Sequence, residues 1–246
     1  MDYDKTTIAS TYDAARSHRP EAQARWLELV AAHAPSDPQL IVDVGCGTGR
    51  FTGSLSEKFG ARVIGIDPSE RMLAEARRKG GAQVAFIQAS AERLPLGDGC
   101  ADLIFMSMML HHLHDRAQAA RECRRVLRSG GRIFIRNTTR ESVYPHTRFF
   151  PGFQRIVDTQ LPSRDEVVAL FEDTGLRLRG CEVVATQSAG GWGEFADKIA
   201  LRADSFIVRL PMAEFEAGMS ALREHASRDD GSDPVVEQVN FFVFGD

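Results

Sequence analysis

Three glycines on alternate positions, Gly45, Gly47 and Gly49, follow the apolar run Leu40–Val44, which a single acid, Asp43, interrupts. A glycine-rich turn between a strand and a helix brings backbone N–H groups close to a ligand, because no side chain intervenes and the helix start carries partial positive charge. Such a turn serves a phosphate, a dinucleotide or another ligand, and the flanking residues decide which. The dinucleotide spacing is G-x-G-x-x-G, and Arg50 stands where its third glycine would be. The phosphate-loop ending G-K-[ST] is missing too. Asp67 closes the next apolar run, "VIGID", where a carboxylate can accept hydrogen bonds from both hydroxyls of a ribose. It also precedes Ser69, a helix N-cap candidate, where an acid simply favours a helix start. The spacing from the glycine turn favours the ribose. His111, His112 and His114 have no acid or cysteine at metal-ligand spacing, so no metal is expected. Cys46, Cys100, Cys123 and Cys181 lie far apart, which argues for reduced thiols rather than a disulfide frame or zinc site.

The elements that must position these residues follow from apolar period and punctuation. Trp26, Leu29 and Val30 mark a first helix ending before Pro35, and Leu40–Val44 reads as a buried strand. Phe51, Leu55 and Phe59 recur at helical spacing up to Gly60, a strand runs from Ala61 to Ile66, and Ser69 caps a helix closed by Gly80-Gly81. Strands at Val84–Ile87, Asp102–Met106 and Arg132–Arg136 follow, with a helix through Ala119, Cys123 and Val126. Alternating strands and helices build a parallel sheet. Beyond residue 138 the rhythm changes. The stretch from Glu141 to Leu161 reads as irregular and aromatic, its prolines interrupting any regular helix, and the capping-box pattern Ser163–Glu166 opens a further helix. A strand at Glu182–Ala185 and a last strand at Val235–Phe244 are separated by a helical stretch. One domain over 1–246 is expected, with an N-terminal helical lid over 1–34, a core over 38–188 and 233–246, and a helical insertion over 189–232.

Four segments then carry a family resemblance: "VDVGCGTGRF", "VIGIDPSERMLAEA", "ASAERLPLGDGCADLIFMSMMLHHL" and "RVLRSGGRIFI", in that order. Together they resemble the class I S-adenosylmethionine-dependent methyltransferases, in the methyltransferase type 11-like branch rich in small-molecule enzymes, over roughly residues 38 to 137. The fold implied is α/β, a Rossmann-like doubly wound sheet, mostly parallel with an antiparallel last strand, to which this chain adds a helical cap insertion. The resemblance implies that Asp43, Gly45, Cys46, Gly47 and Gly49 form the loop beside the methionine part of S-adenosyl-L-methionine. Asp67 would hold the ribose, with Pro68 and Met72 against the adenine. Ser90-Ala91-Glu92 replaces a triplet that often begins with Asp in relatives, so the adenine's exocyclic amine loses a carboxylate partner. Met106 and Ser107 would border the sulfonium, Met106 through its backbone carbonyl. Tyr12 and Arg16, in the lid, would close over the cofactor carboxylate.

Methyl transfer from a sulfonium needs an oriented acceptor and, where the acceptor is protonated, a base. His111 is the candidate catalytic group. Arg136, Asn137, Tyr144, Phe149 and Phe150 are candidates for acceptor contact. The apolar stripes of the insertion (Phe195 and Ile199; Phe215, Met219 and Leu222) have no free sheet face to cover. They are expected to pack on the segment Tyr144–Phe153 as a cap over a partly apolar acceptor pocket, the alternative being a dimer interface. A net charge of −4, with scattered basic residues, argues against nucleic acid and anionic membranes as partners. The polar, acidic start is no signal peptide, so a cytoplasmic location is expected, as a monomer or homodimer. The expected activity is methyl transfer to a small-molecule acceptor. The alternatives are a tRNA or protein methyltransferase and a non-catalytic cofactor-binding regulatory protein.

Overall fold

The computed structural model describes residues 20–202, 204–229, 231 and 233–246. The chain runs α1 (Pro20–His33), β1 (Leu40–Val44), α2 (Thr52–Phe59), β2 (Arg62–Asp67), α3 (Glu70–Lys79), β3 (Val84–Gln88), β4 (Ala101–Ser107), α4 (Arg116–Val126) and β5 (Leu127–Asn137). It continues through α5 (Pro151–Gln160), α6 (Arg164–Glu172), β6 (Arg177–Ala189), α7 (Trp192–Ala200), α8 (Met212–Ala226) and β7 (Val235–Gly245). The seven strands lie in the order β3-β2-β1-β4-β5-β7-β6. β1 to β5 pair in parallel, and β7 runs antiparallel to both of its neighbours. This is the Rossmann-like arrangement with an antiparallel last strand. Among the described residues, no helix is long and apolar enough to cross a membrane.

The central strands are apolar on both faces because helices cover both. On one face Val42, Val44, Ile104, Met106 and Ile135 pack with Ala119, Cys123 and Val126 of α4 and Val167 and Phe171 of α6. On the other, Ile41, Leu103, Phe105, Phe134 and Phe241 pack with Trp26 and Val30 of α1 and Leu55 of α2. Ser69 caps α3 by accepting from Met72 N–H, and Ser163 and Glu166 form a reciprocal capping box on α6.

A third apolar cluster is separate from the two that cover the faces of the central strands, reaching the sheet at Ala189 and Val235. It joins Tyr144, Phe150, Phe153 and Val157 to Phe195, Ile199, Phe206, Phe215, Met219 and Leu222. Phe150 stacks on Phe215 at 6.2 Å and Phe153 meets Phe206 edge-on at 5.9 Å, so the helices between β6 and β7 rest on the segment that follows β5. That segment is more regular than its prolines suggest. Pro151 occupies the first turn of α5, where a missing N–H breaks no helical bond, and Glu214 of α8 accepts a hydrogen bond from Gly152 N–H at the same end. Arg116 ties α5 back to the core, its guanidinium donating to Leu110 O at 3.0 Å and Gln160 O at 2.7 Å. β6 is also longer than its sequence pattern, 13 residues against the expected Glu182–Ala185. As an edge strand it is half-exposed, and its length comes from pairing with β7 rather than from apolar alternation.

Gly218 of α8 lies against this contact: a Cβ there would stand 2.3 Å from the buried Phe150 ring and 2.9 Å from Phe149 O. Gly53 of α2 has no atom within 4 Å of the same position. Gly218→Ala is therefore expected to destabilise the protein by about 1–3 kcal/mol. Gly53→Ala should be neutral or stabilising by up to about 1 kcal/mol. Thermal unfolding of the two variants checks this; equal shifts would contradict the packing described.

Candidate functional site

The strand order reverses between β1 and β4, and an open α/β sheet leaves a crevice at the carboxyl ends of such strands. The glycine turn fills that position. Gly45, Gly47 and Gly49 have φ of +71°, +54° and +72°, left-handed values that a side chain strains. Gly45 and Cys46 both donate N–H to Ile66 O, at 2.8 and 3.1 Å, and Gly47 N–H reaches Asp67 Oδ2 at 2.9 Å. The three glycines serve different ends. A Cβ on Gly45 would strike Met109 at 2.9 Å, and one on Gly49 would strike Ala76 at 3.0 Å, so both allow close packing. A Cβ on Gly47 would meet nothing within 4 Å among the described residues. Its bare backbone faces open space.

That space is a cleft of about 1070 Å³, open to solvent. Asp43, Gly45, Cys46, Gly47, Ser107 and Arg136, all candidates from sequence, line it. Arg136 is 2% exposed, its guanidinium 4.8 Å from the Trp26 ring and 5.9 Å from Phe51, and its Nη1 donates to Ser107 Oγ at 3.3 Å. Asp67 Oδ1 accepts from Ser69 N–H at 2.9 Å, so both oxygens are already held by backbone amides, from the loop and from the start of α3. Met72 and Ala91 are buried nearby in sequence, Ser90 is half-buried, and Pro68 O accepts from Gln88 Nε2 at 3.0 Å. Glu92 Oε1 accepts from the N–H groups of His114 and Asp115, at 3.1 and 3.4 Å, which fixes it as a brace for the turn before α4. Met106 is 1% exposed with its sulfur 3.9 Å from Cys123 Sγ, so only its backbone can face the site.

Several expected acceptor contacts lie elsewhere. Asn137 is fully buried, accepting from Leu110 N–H at 3.4 Å and donating to Thr138 O at 2.6 Å, which knits two loops together. The Tyr144 hydroxyl donates to Thr139 O at 2.7 Å. Phe150 lies inside the apolar cluster, and Phe149 packs edge-on against Trp192 at 5.3 Å. None of the four lines the cleft; they hold the wall behind it. His111 is also outside the lining, with Nε2 3.3 Å from Ser205 Oγ and its ring 5.1 Å from Phe206. Tyr12 and Arg16 lie outside the described residues.

The wall opposite the glycine turn is made by His146, Ser188, Phe195, Lys198, Asp204 and Glu237, of which sequence reasoning named only Phe195, as part of a packing stripe. Glu237 leaves a readable signal, a charge on the same strand face as Val235, Val239 and Phe241. Asp204 and Lys198 leave none, since a charge on an insertion helix or loop is ordinary. Met108, also in the lining, has a φ of +54°, a conformation no sequence pattern announces for methionine.

Residues 42–135 match the family described as a methyltransferase domain. The chain is 32% identical to a malonyl-[acyl-carrier protein] O-methyltransferase of Hamiltonella defensa, a match covering 66% of this chain and 69% of that protein. It belongs to the class I S-adenosylmethionine-dependent methyltransferases. It is also 28% identical to the O-methyltransferase cnsE of Penicillium expansum, over 68% of this chain and 66% of that protein, just under two thirds of the relative's length. In fold it is similar to Haemonchus contortus phospholethanolamine N-methyltransferase 2, solved with S-adenosylhomocysteine. There the TM-score is 0.65 at 19% identity, covering 99% of this chain and 58% of that one.

In this chain one acid is poised near neutrality. Burial pushes the Asp43 carboxyl from 3.8 up to about 7, against the hydrogen bond from Thr52 Oγ1 (2.7 Å), with the Asp67 charge adding a smaller push upward. A raised carboxyl pKa means the folded state holds its proton more tightly than the unfolded state. The resulting penalty is absent below about pH 4, grows between the two values, and is complete above about pH 7. Asp43→Asn, which keeps the shape and removes the charge, should therefore exceed the native protein in stability at pH 8 by a few kcal/mol, to order of magnitude. That margin should narrow at pH 5. Urea unfolding of both proteins at the two pH values checks it; a margin independent of pH would contradict the assignment.

Proposed function

We propose that this protein transfers a methyl group from S-adenosylmethionine to a small-molecule acceptor, with oxygen as the accepting atom. The observation that carries the reading is the open space over Gly47, on a left-handed turn at the point where the strand order reverses. The residues present fit the cofactor. Gly47 permits close approach to backbone, and Asp43 and Asp67 offer carboxylates beside the turn. A carboxylate oxygen can accept more than one hydrogen bond, so Asp67 can receive ribose hydroxyls beside the amides it holds. When bound, S-adenosylmethionine supplies a methyl group on positively charged sulfur, which needs no further activation.

The chain's own residues have the work of holding and orienting. Ser107 and Met108, at the end of β4, line the cleft and would border the methyl of a bound cofactor, with Met108 N–H anchored on Arg136 O at 2.7 Å. The insertion over 189–232 acts as a cap: Phe195 and Ile199 turn apolar surface toward the cleft and exclude water. Lys198 fastens that cap to the sheet, donating to Ser188 O at 2.7 Å while paired with Glu194 at 2.7 Å. Oxygen as the acceptor atom is supported by the O-methyltransferase names of the relatives.

Calorimetry is expected to show micromolar binding of S-adenosylmethionine and S-adenosylhomocysteine, and absence of heat for both would contradict the proposal. Asp67→Ala should weaken binding by about 2–3 kcal/mol, against about 1 kcal/mol for Ser90→Ala. Equal losses would show that Asp67 does not hold the ribose.

A further inference from the structure

The far wall of the cleft tells what kind of acceptor it suits. Thr186 and Glu237 stand directly opposite each other in the antiparallel β6–β7 ladder, so their side chains leave the same sheet face. Ser188 follows on β6, at the irregularity between Gln187 and Ala189, and both Ser188 and Glu237 line the cleft. Thr186 is 3% exposed, and neither its hydroxyl nor that of Ser188, both buried from water, has a hydrogen-bond partner among the described residues. A buried hydroxyl left unpaired costs about 1–3 kcal/mol, and two on one strand beside a cleft mark a place where a partner arrives from outside.

Asp204 approaches from the cap side. Burial raises the Tyr144 phenol, and the charges of Glu237 and Asp204 raise it further, so both carboxylates act on one neighbourhood. Their surroundings are nevertheless balanced. Among the described residues, the charged side chains lining the cleft are three acids, Asp43, Asp204 and Glu237, and three bases, Arg50, Arg136 and Lys198, so their balance selects neither a cation nor an anion. Carboxylates only accept hydrogen bonds, whereas serine and threonine hydroxyls both donate and accept. One group satisfies all four: a neutral hydroxyl, which also does both. An ammonium cannot accept, an anion meets two carboxylates, and an alkyl surface leaves the Thr186 and Ser188 hydroxyls unpaired.

We infer that the acceptor presents a cluster of neutral hydroxyl groups to Ser188, Asp204 and Glu237, which line the cleft, and to Thr186 opposite Glu237, as a sugar or other polyol does, with its carbon skeleton against Phe195 and Ile199. This rests on the methyl-transfer reading above, and loading the cofactor product first separates the two. Saturation-transfer NMR on the full chain loaded with S-adenosylhomocysteine would compare myo-inositol, cyclohexanol and cyclohexylamine, rings of one size. Inositol should give the strongest signal. Thr186→Val should cut that signal about threefold or more while raising Tm, because a methyl of the same shape replaces an unpaired hydroxyl. A merely structural threonine would raise Tm and leave the inositol signal unmoved, which would overturn the inference. So would silence of inositol in the loaded protein, whether or not the other rings bind. Failure of S-adenosylhomocysteine to load would instead overturn the methyl-transfer reading, and this inference with it.

Discussion

Everything at the functional edge depends on one stretch of backbone turning left-handed three times. Between Val44 and Thr52 the chain must leave β1, touch the end of β2 and start α2, and it does so by placing Gly45, Gly47 and Gly49 at positive φ. The path is fixed by N–H groups that converge on Ile66 O and on the Asp67 carboxylate, so β2 holds the loop that β1 delivers. An L side chain at these angles costs about 1–2 kcal/mol of strain. At Gly45 and Gly49 it would also collide with Met109 and Ala76. The same geometry that packs the loop exposes Gly47, which joins foldability and ligand approach in five residues.

The edge built around that loop is costly in stability. Asp43 is buried as a carboxyl whose ionisation is resisted, Met108 is held in a conformation that disfavours side chains, and Arg136 buries a guanidinium against two aromatic rings. The compensation lies in three apolar clusters, each side chain of Val, Leu, Ile or Phe size contributing about 1.5–3 kcal/mol when fully buried. The cap is a layer of this kind. It has its own core and is tied to the sheet by Lys198.

The parts that sequence revealed are those where local chemistry and global structure agree. β1 to β3 alternate with helices bounded by Gly60 and Ser69, and the capping box opens α6, so their order and type follow from period and punctuation. The glycine turn was legible because its spacing excludes the dinucleotide and phosphate loops. The acceptor wall was not. It is assembled from β6, β7 and the insertion, which meet only through long-range pairing, and its hydroxyls and carboxylates resemble ordinary surface residues when read along the chain. Aromatic residues misled for the same reason: Tyr144, Phe149 and Phe150 sit next to the site in sequence but turn into the cap's packing. Pro151 read as a helix breaker because the sequence does not say whether a proline falls inside a helix or at its start.

The central claim is that the space over Gly47 belongs to the cofactor. Gly47→Ala tests it directly, because an added methyl meets no atom of the described residues within 4 Å, and none of them gives the fold a steric reason to fail. Titration of this variant with S-adenosylhomocysteine, alongside its thermal unfolding, is the measurement. The account predicts an affinity lower by about tenfold or more with only the modest loss of Tm that a left-handed alanine imposes. Unchanged affinity in a folded Gly47→Ala protein would contradict it.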